Sequence, residues 1–280
     1  MKKFSWLIFI VSIFTLGLSS NLYAVEKTVK NGDATIAYSL HGSKGPLVVF
    51  LASTGRGTDE FKPLAVQLVK RGYRVALPEP RGIGGSHGAM ENVTFHDFAN
   101  DFAAVIKAEG GKAIVAGHAY GNWIARTIAA DHPEMVTGVI LVAAGAKSWP
   151  KELSDAITMI NDPKSTKEEK LAGLRLAFFA KGNDPKEWLD GWYQDVTVSQ
   201  RSARKITNRD DWWHGGKAPM LDLQGGADPF RPIESRMENK DEFGDRVTVT
   251  VIPKSSHALP AEKPIETANA IADWADKLPK

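Results

Sequence analysis

Two side chains suited to acid–base chemistry lie late in this sequence, each just after a short apolar run. Asp228 follows the run at Met220 to Leu223, and His257 follows the run at Val247 to Ile252. A carboxylate can fix the tautomer and orientation of an imidazole, which then acts as a general base on water or on an acidic O–H or C–H group. The pair therefore predicts a catalytic His–Asp dyad.

A third position belongs with these two. Gly117-His118-Ala119-Tyr120-Gly121 follows an apolar run and precedes a helical pattern, which is the setting of the G-x-S-x-G nucleophile elbow. The central residue here is Ala119, which has no hydroxyl. Loss of the nucleophile costs a serine protease about 10⁶-fold in turnover, so ordinary acyl-enzyme chemistry is excluded at this position.

The elements that must position these residues are typical of parallel βαβ units, because runs rich in Val, Ile and Leu alternate with longer helical patterns. Ala34 to Leu40 alternates like an edge strand, whereas Leu47 to Ala52 is apolar throughout, like a strand covered on both faces. The remaining strands are predicted at 73–77, 113–116, 139–143, 220–223 and 247–252, and helices at 59–71, 95–108, 122–131 and 264–277.

The chain order of nucleophile position, acid and histidine is that of the α/β-hydrolase-fold superfamily, which the sequence resembles over residues 25–280. It is similar in particular to a bacterial subgroup whose elbow reads Gly-His-Ala-aromatic-Gly-Asn, matched here by residues 117–122. The resemblance implies an α/β fold with a mostly parallel central sheet, helices on both faces and a helical lid insert at about 149–216. Native alanine at 119 is then the expected residue.

The resemblance also assigns an oxyanion hole, with one departure from the family. The strand that ends at Ala52 normally leads into His-Gly, whereas this chain has Ala52-Ser53-Thr54-Gly55-Arg56-Gly57. Alignment on the flanking elements puts Thr54 in the place of one backbone donor, beside Tyr120. Ser53 then stands at the rim of the pocket, where it is a substitute nucleophile or a substrate contact.

The segment 149–216 holds five of the eight tryptophans. Packing of lid helices onto the core accounts for most such residues, and an apolar substrate wall is the functional alternative. We nominate Trp149 and Trp188 as substrate-binding residues.

The first 24 residues are predicted to be a secretory signal peptide. Lys2 and Lys3 precede the apolar run at 4–18, and Leu22-Tyr23-Ala24 forms a cleavage box. The run of 15 residues is shorter than the ~20 that cross a bilayer as a helix. We expect a mature chain from Val25, periplasmic or secreted, without a stable membrane anchor. An uncleaved anchor is the alternative.

Composition excludes several classes of protein. The absence of cysteine rules out disulfides, zinc–thiolate sites, iron–sulfur clusters and a cysteine nucleophile. Basic and acidic residues number 35 and 33, and removal of Lys2 and Lys3 makes them equal, so no nucleic-acid partner is indicated. The seven histidines lack ligand spacing and the glycine clusters at 55–60 and 82–88 do not fit a dinucleotide fingerprint, so we expect no metal and no cofactor.

Three functions remain open. The first is an exported hydrolase-like enzyme that acts on a small apolar molecule through His257 and Asp228 without a serine nucleophile. The second is a ligand-binding or sensor protein on the same fold, and the third is a hydrolase silenced by a Ser→Ala change. The pocket separates the first two, because a catalyst needs the imidazole of His257 to open onto a cavity.

Overall fold

The computed structural model describes residues 24–279, so most of the predicted signal peptide lies outside the described residues. The strands of this part are β1 (Val25–Asn31), β2 (Ala34–His41), β3 (Leu47–Leu51), β4 (Arg74–Pro78), β5 (Ala113–His118), β6 (Val136–Val142), β7 (Met220–Gly225) and β8 (Val247–Ile252). The α-helices are α1 (Lys62–Lys70), α2 (Phe95–Ala108), α3 (Gly121–Asp131), α4 (Lys151–Asn161), α5 (Lys167–Ala177), α6 (Gln194–Ile206), α7 (Arg209–Trp212), α8 (Glu238–Phe243), α9 (Leu259–Glu262) and α10 (Pro264–Ala275).

The strands form one sheet in the order β1-β2-β4-β3-β5-β6-β7-β8. β2 pairs antiparallel with β1 and β4, and every pair from β4 to β8 is parallel. The α/β-hydrolase fold expected from the sequence is therefore confirmed.

Side chains of β3 show why the sheet is covered on both faces. Leu47, Val49 and Leu51 pack with α2 and α3, whereas Val48 and Phe50 pack with α1 and α10 on the other side. Successive side chains of a strand point to opposite faces, so a strand buried on both faces has to be apolar throughout. The uninterrupted apolar run at 47–51 meets that requirement.

One edge of the sheet differs from the expectation. Ala34 to Leu40 is the second strand and not the edge, because β1 pairs along its whole length, from Val25 opposite Leu40 to Asn31 opposite Ala34. β1 is largely exposed and carries charged residues, so hydrophobic patterning is weak there. The sequence feature that could have indicated β1 is Gly32-Asp33, a two-residue hairpin loop between β1 and β2 in which Gly32 has φ +56°.

The chain between β6 and β7 is helical, with α4 to α7 and no strand in this described segment. This segment lies over the carboxyl ends of the parallel strands, where its α6 contacts the loop after β3. Ala119, Asp228 and His257 follow β5, β7 and β8, so all three lie at that same edge of the sheet. None of the helices within residues 24–279 is long and apolar enough to span a membrane.

Candidate active site

The turn between β5 and α3 has the backbone of a nucleophile elbow. Ala119 has φ +48°, a left-handed conformation that costs a residue with a Cβ about 1–2 kcal/mol. A Cβ at position 117 would overlap the carbonyl oxygen of Gly121, and a Cβ at 121 would overlap that of Leu51. The two glycines therefore allow the sharp turn, and the strain persists at 119 although no hydroxyl is present.

The imidazole of His257 is held by Asp228. Nδ1 of His257 lies 2.9 Å from Oδ2 of Asp228, whose Oδ1 accepts a 2.9 Å hydrogen bond from the backbone N–H of Phe230. Both side chains are buried. An ionised carboxylate only accepts hydrogen bonds, so the proton lies on Nδ1 and the lone pair on Nε2. Within residues 24–279 no protein group bonds to that Nε2, which leaves it available as a base.

Two backbone donors lie beside the elbow. The N–H groups of Thr54 and Tyr120 have no acceptor among the protein groups that the structure describes, and both residues line the cavity. The loop that carries Thr54 is held from the lid side, since Gly55 N–H donates to Gln200 Oε1 at 2.8 Å and Gly55 C=O accepts from Tyr193 N–H at 2.8 Å.

A cavity of about 210 Å³ connects these groups. Ser53, Thr54, Ala119, Tyr120 and His257 line it. Aromatic side chains form much of the remaining wall: Trp123, Trp149, Phe178, Trp192, Trp212, Trp213 and Phe230. Arg126, Lys147, Arg204 and Arg209 also line it, so His257 opens onto a space with aromatic and cationic walls.

The alpha/beta hydrolase family profile matches residues 41–270. The chain belongs to this family. It is 27% identical over 232 residues to a pyrethroid hydrolase from Sphingobium wenxiniae, a match that covers 75% of this chain and 80% of that one. It is also 30% identical over 119 residues to a 2-(acetamidomethylene)succinate hydrolase from Mesorhizobium japonicum, covering 42% of each. An esterase structure from Exiguobacterium antarcticum superposes with a TM-score of 0.74 at 20% identity, covering 90% of this chain and 100% of that one.

In this family member the predicted substrate contacts are only partly at the cavity. Ser53 and Trp149 line it, whereas Trp188 does not and Trp192 lies there instead. Trp188 is 2% exposed because the guanidinium of Arg56 lies 4.1 Å from its ring centroid and Phe178 packs beside it. Its place is in the packing between the lid and the core. Composition could nominate tryptophans of the lid but could not separate neighbours four residues apart.

A buried ionic chain behind the elbow was not predicted. Nδ1 of His118 lies 2.9 Å from Oε1 of Glu60, and its Nε2 lies 2.7 Å from the backbone oxygen of His257. Both partners accept hydrogen bonds, so each ring nitrogen donates and the buried imidazole is positively charged. Arg56 Nε donates to the other oxygen of Glu60 at 2.7 Å. His118 thereby holds the backbone of His257.

The carboxylate at the centre of this chain remains ionised. Burial raises the pKa of Glu60, but the hydrogen bond and charge of His118, together with Arg56, outweigh burial and hold that pKa below its usual 4.5. Within the part of the alpha/beta hydrolase that the structure describes, no group of three or more His, Asp or Glu side chains could hold a metal ion.

Proposed function

We propose that this protein is an exported enzyme that acts on a small apolar molecule through His257 and Asp228 without a serine nucleophile. The observation that carries the proposal is the opening of the His257 imidazole onto an aromatic cavity while Asp228 holds its Nδ1 at 2.9 Å. A protein that only binds a ligand has no need of an oriented base with a free nitrogen there.

The arrangement supports direct attack by water on an acyl compound. His257 Nε2 takes a proton from a water molecule, and the resulting hydroxide oxygen bonds to the substrate carbonyl carbon. The negative charge that develops on the carbonyl oxygen faces the N–H groups of Thr54 and Tyr120. The protonated imidazole then returns its proton to the leaving group as the carbonyl re-forms. Position 119 takes no covalent part, which suits its methyl side chain.

Named relatives support hydrolysis in general and leave the substrate open. The pyrethroid hydrolase and the 2-(acetamidomethylene)succinate hydrolase act, by their names, on very different compounds. The alternative function is a ligand-binding or sensor protein. Ala119 favours this alternative, because the chain keeps the fold, the cavity and the elbow but has no nucleophilic hydroxyl at position 119.

The dyad is tested by a broad activity screen on the mature protein with esters, lactones and amides of small apolar acids. Replacement of His257 by alanine should lower any turnover found by 10²- to 10⁴-fold, the usual contribution of a general base. Asp228→Asn should also lower turnover, because Nδ1 of His257 loses its carboxylate partner. His87→Ala is the matched control, since His87 is exposed on a loop away from the cavity. Equal turnover in His257→Ala and native protein would exclude the dyad mechanism.

The export proposal rests on residues 1–24, with their basic start, apolar run and cleavage box. Val25 begins β1, so cleavage before it would leave that strand whole. Mass spectrometry of protein recovered from the native host should find an N-terminus close to Val25. Intact chain recovered from the membrane fraction would contradict this expectation.

A further inference from the structure

The charged residues around the cavity are all of one sign. The cavity opens into an outer hollow of about 580 Å³ that shares Thr54, Tyr120, Trp123, Trp149, Ile157 and Arg204 with it, and we call the two together the cleft. Six cationic residues line the cleft: Arg126, Lys147, Arg201, Arg204, Lys205 and Arg209. No aspartate or glutamate from the described residues lines it.

Three of the arginines lie on indole rings and not against carboxylates. Arg126 and Arg209 lie over the ring of Trp213, at 4.3 and 4.0 Å from its centroid, and Arg204 lies 4.6 Å from the centroid of Trp123. Within residues 24–279 none of the three has a carboxylate oxygen within 4.0 Å. Lys147, by contrast, is paired with Glu242 at 2.9 Å.

The arginines differ in depth along the cleft. Arg126 is 1% exposed and uses three donors, to Asn122 Oδ1, Trp213 C=O and Asn239 Oδ1, so two of its five N–H groups stay free of protein acceptors in the described chain. Arg204 and Arg209 are exposed, and both line the inner cavity, Arg204 stacked on Trp123 and Arg209 on Trp213. Two guanidiniums that line one cavity without a paired carboxylate favour binding of an anion there.

We propose that the cleft binds an amphiphilic anion, with an apolar or aromatic body against the tryptophans and a carboxylate at Arg204 and Arg209. This rests on the proposed function and replaces its small apolar molecule by one that carries an anionic group beside its apolar body. The aromatic rings of the cleft supply contact area for the body, and the guanidinium fork matches the two oxygens of a carboxylate. The cleft thereby discriminates against the neutral analogue of the same shape.

The test is isothermal titration calorimetry with two probes of nearly equal size, 4-phenylbutanoate and 4-phenylbutanamide. The native protein should bind the carboxylate about tenfold or more tightly than the amide, and added salt should reduce that ratio. The variant with both Arg204→Gln and Arg209→Gln should bind the two probes equally. Arg175→Gln is the control, since Arg175 is exposed on α5 and lies outside the cleft.

The measurement separates this inference from the function on which it rests, because it reads affinity and not turnover. If native protein binds both probes with equal affinity, the anion preference is wrong while the dyad of His257 and Asp228 is unaffected. Retention of the preference in the double variant overturns the assignment to Arg204 and Arg209. If neither probe binds, the amphiphilic ligand is wrong, and turnover of a neutral compound in the activity screen would still uphold the enzyme.

Discussion

Ala119→Ser should hydrolyse short activated esters such as 4-nitrophenyl acetate, at rates 10²- to 10⁴-fold above those of native protein. The elbow already has φ +48° at this position, and His257 opens onto the same cavity with Nε2 available. Serine adds one oxygen, which restores a nucleophile beside its base. A full triad is worth about 10⁶-fold, and misplacement by about 1 Å costs ~10²-fold, so a smaller gain is expected. Initial rates of nitrophenolate release measure it.

The control is the double variant with Ala119→Ser and His257→Ala, which should lose the gain because the hydroxyl has no base. A serine-directed phosphonylating reagent should inactivate Ala119→Ser and leave native protein unmodified at 119. If native protein hydrolyses the ester as fast as the variant, position 119 is irrelevant and Ser53→Ala becomes the next variant to assay. Ser53 is buried at the cavity, so it is placed to take that part.

Glu60→Gln should lower the free energy of unfolding by about 3–5 kcal/mol, the usual cost of removing one partner from a buried ion pair. The glutamate accepts from His118 and Arg56, and its loss leaves two buried cations facing a neutral amide. Urea unfolding at pH 7, followed by tryptophan fluorescence, measures the change. Glu91→Gln, at an exposed loop position, should change stability by less than about 0.5 kcal/mol. A loss below about 1 kcal/mol in Glu60→Gln would contradict the ionic chain.

The stabilising effect of Glu60 should depend on pH. Burial raises the pKa of Glu60 in the folded protein, but His118 and Arg56 lower it by more, so that the pKa lies below 4.5. The contribution is therefore present above pH 4.5 and is lost as the pH falls through the lower folded value. Native protein and Glu60→Gln should approach each other in stability as the solution is acidified from pH 4.5.

Sequence patterning located the elements that carry the site, because that site lies at the carboxyl ends of buried apolar strands. The runs before Ala119, Asp228 and His257 are β5, β7 and β8, and α2 spans the residues 95–108 predicted for a helix. β1 was missed, since an exposed edge strand with alternating charges has little hydrophobic signal. Strand order also required the structure, because pairing partners are not encoded locally.

The cleft walls and the buried ionic chain were beyond reach for a different reason. The sequence shows His118 only as a neighbour of the elbow residue, and tertiary contact places it between Glu60 and the backbone of His257. Glu60 lies 58 residues from His118 in the sequence, so no local pattern joins them. The stacking of the α6 and α7 arginines on Trp123 and Trp213 likewise depends on how the lid packs.

The two hydrogen bonds that join Gly55 to Gln200 and Tyr193 couple the lid to the loop that carries Thr54. A hinge motion that swung α6 outward would break both bonds and leave the Thr54 amide unsupported. The protein could then not have an open lid and a correctly placed Thr54 amide at the same time. Small molecules that enter and leave between α6 and Trp149 would not require the lid to open. The lid would then stay closed while substrate and product exchange, and the Thr54 amide would keep its position throughout.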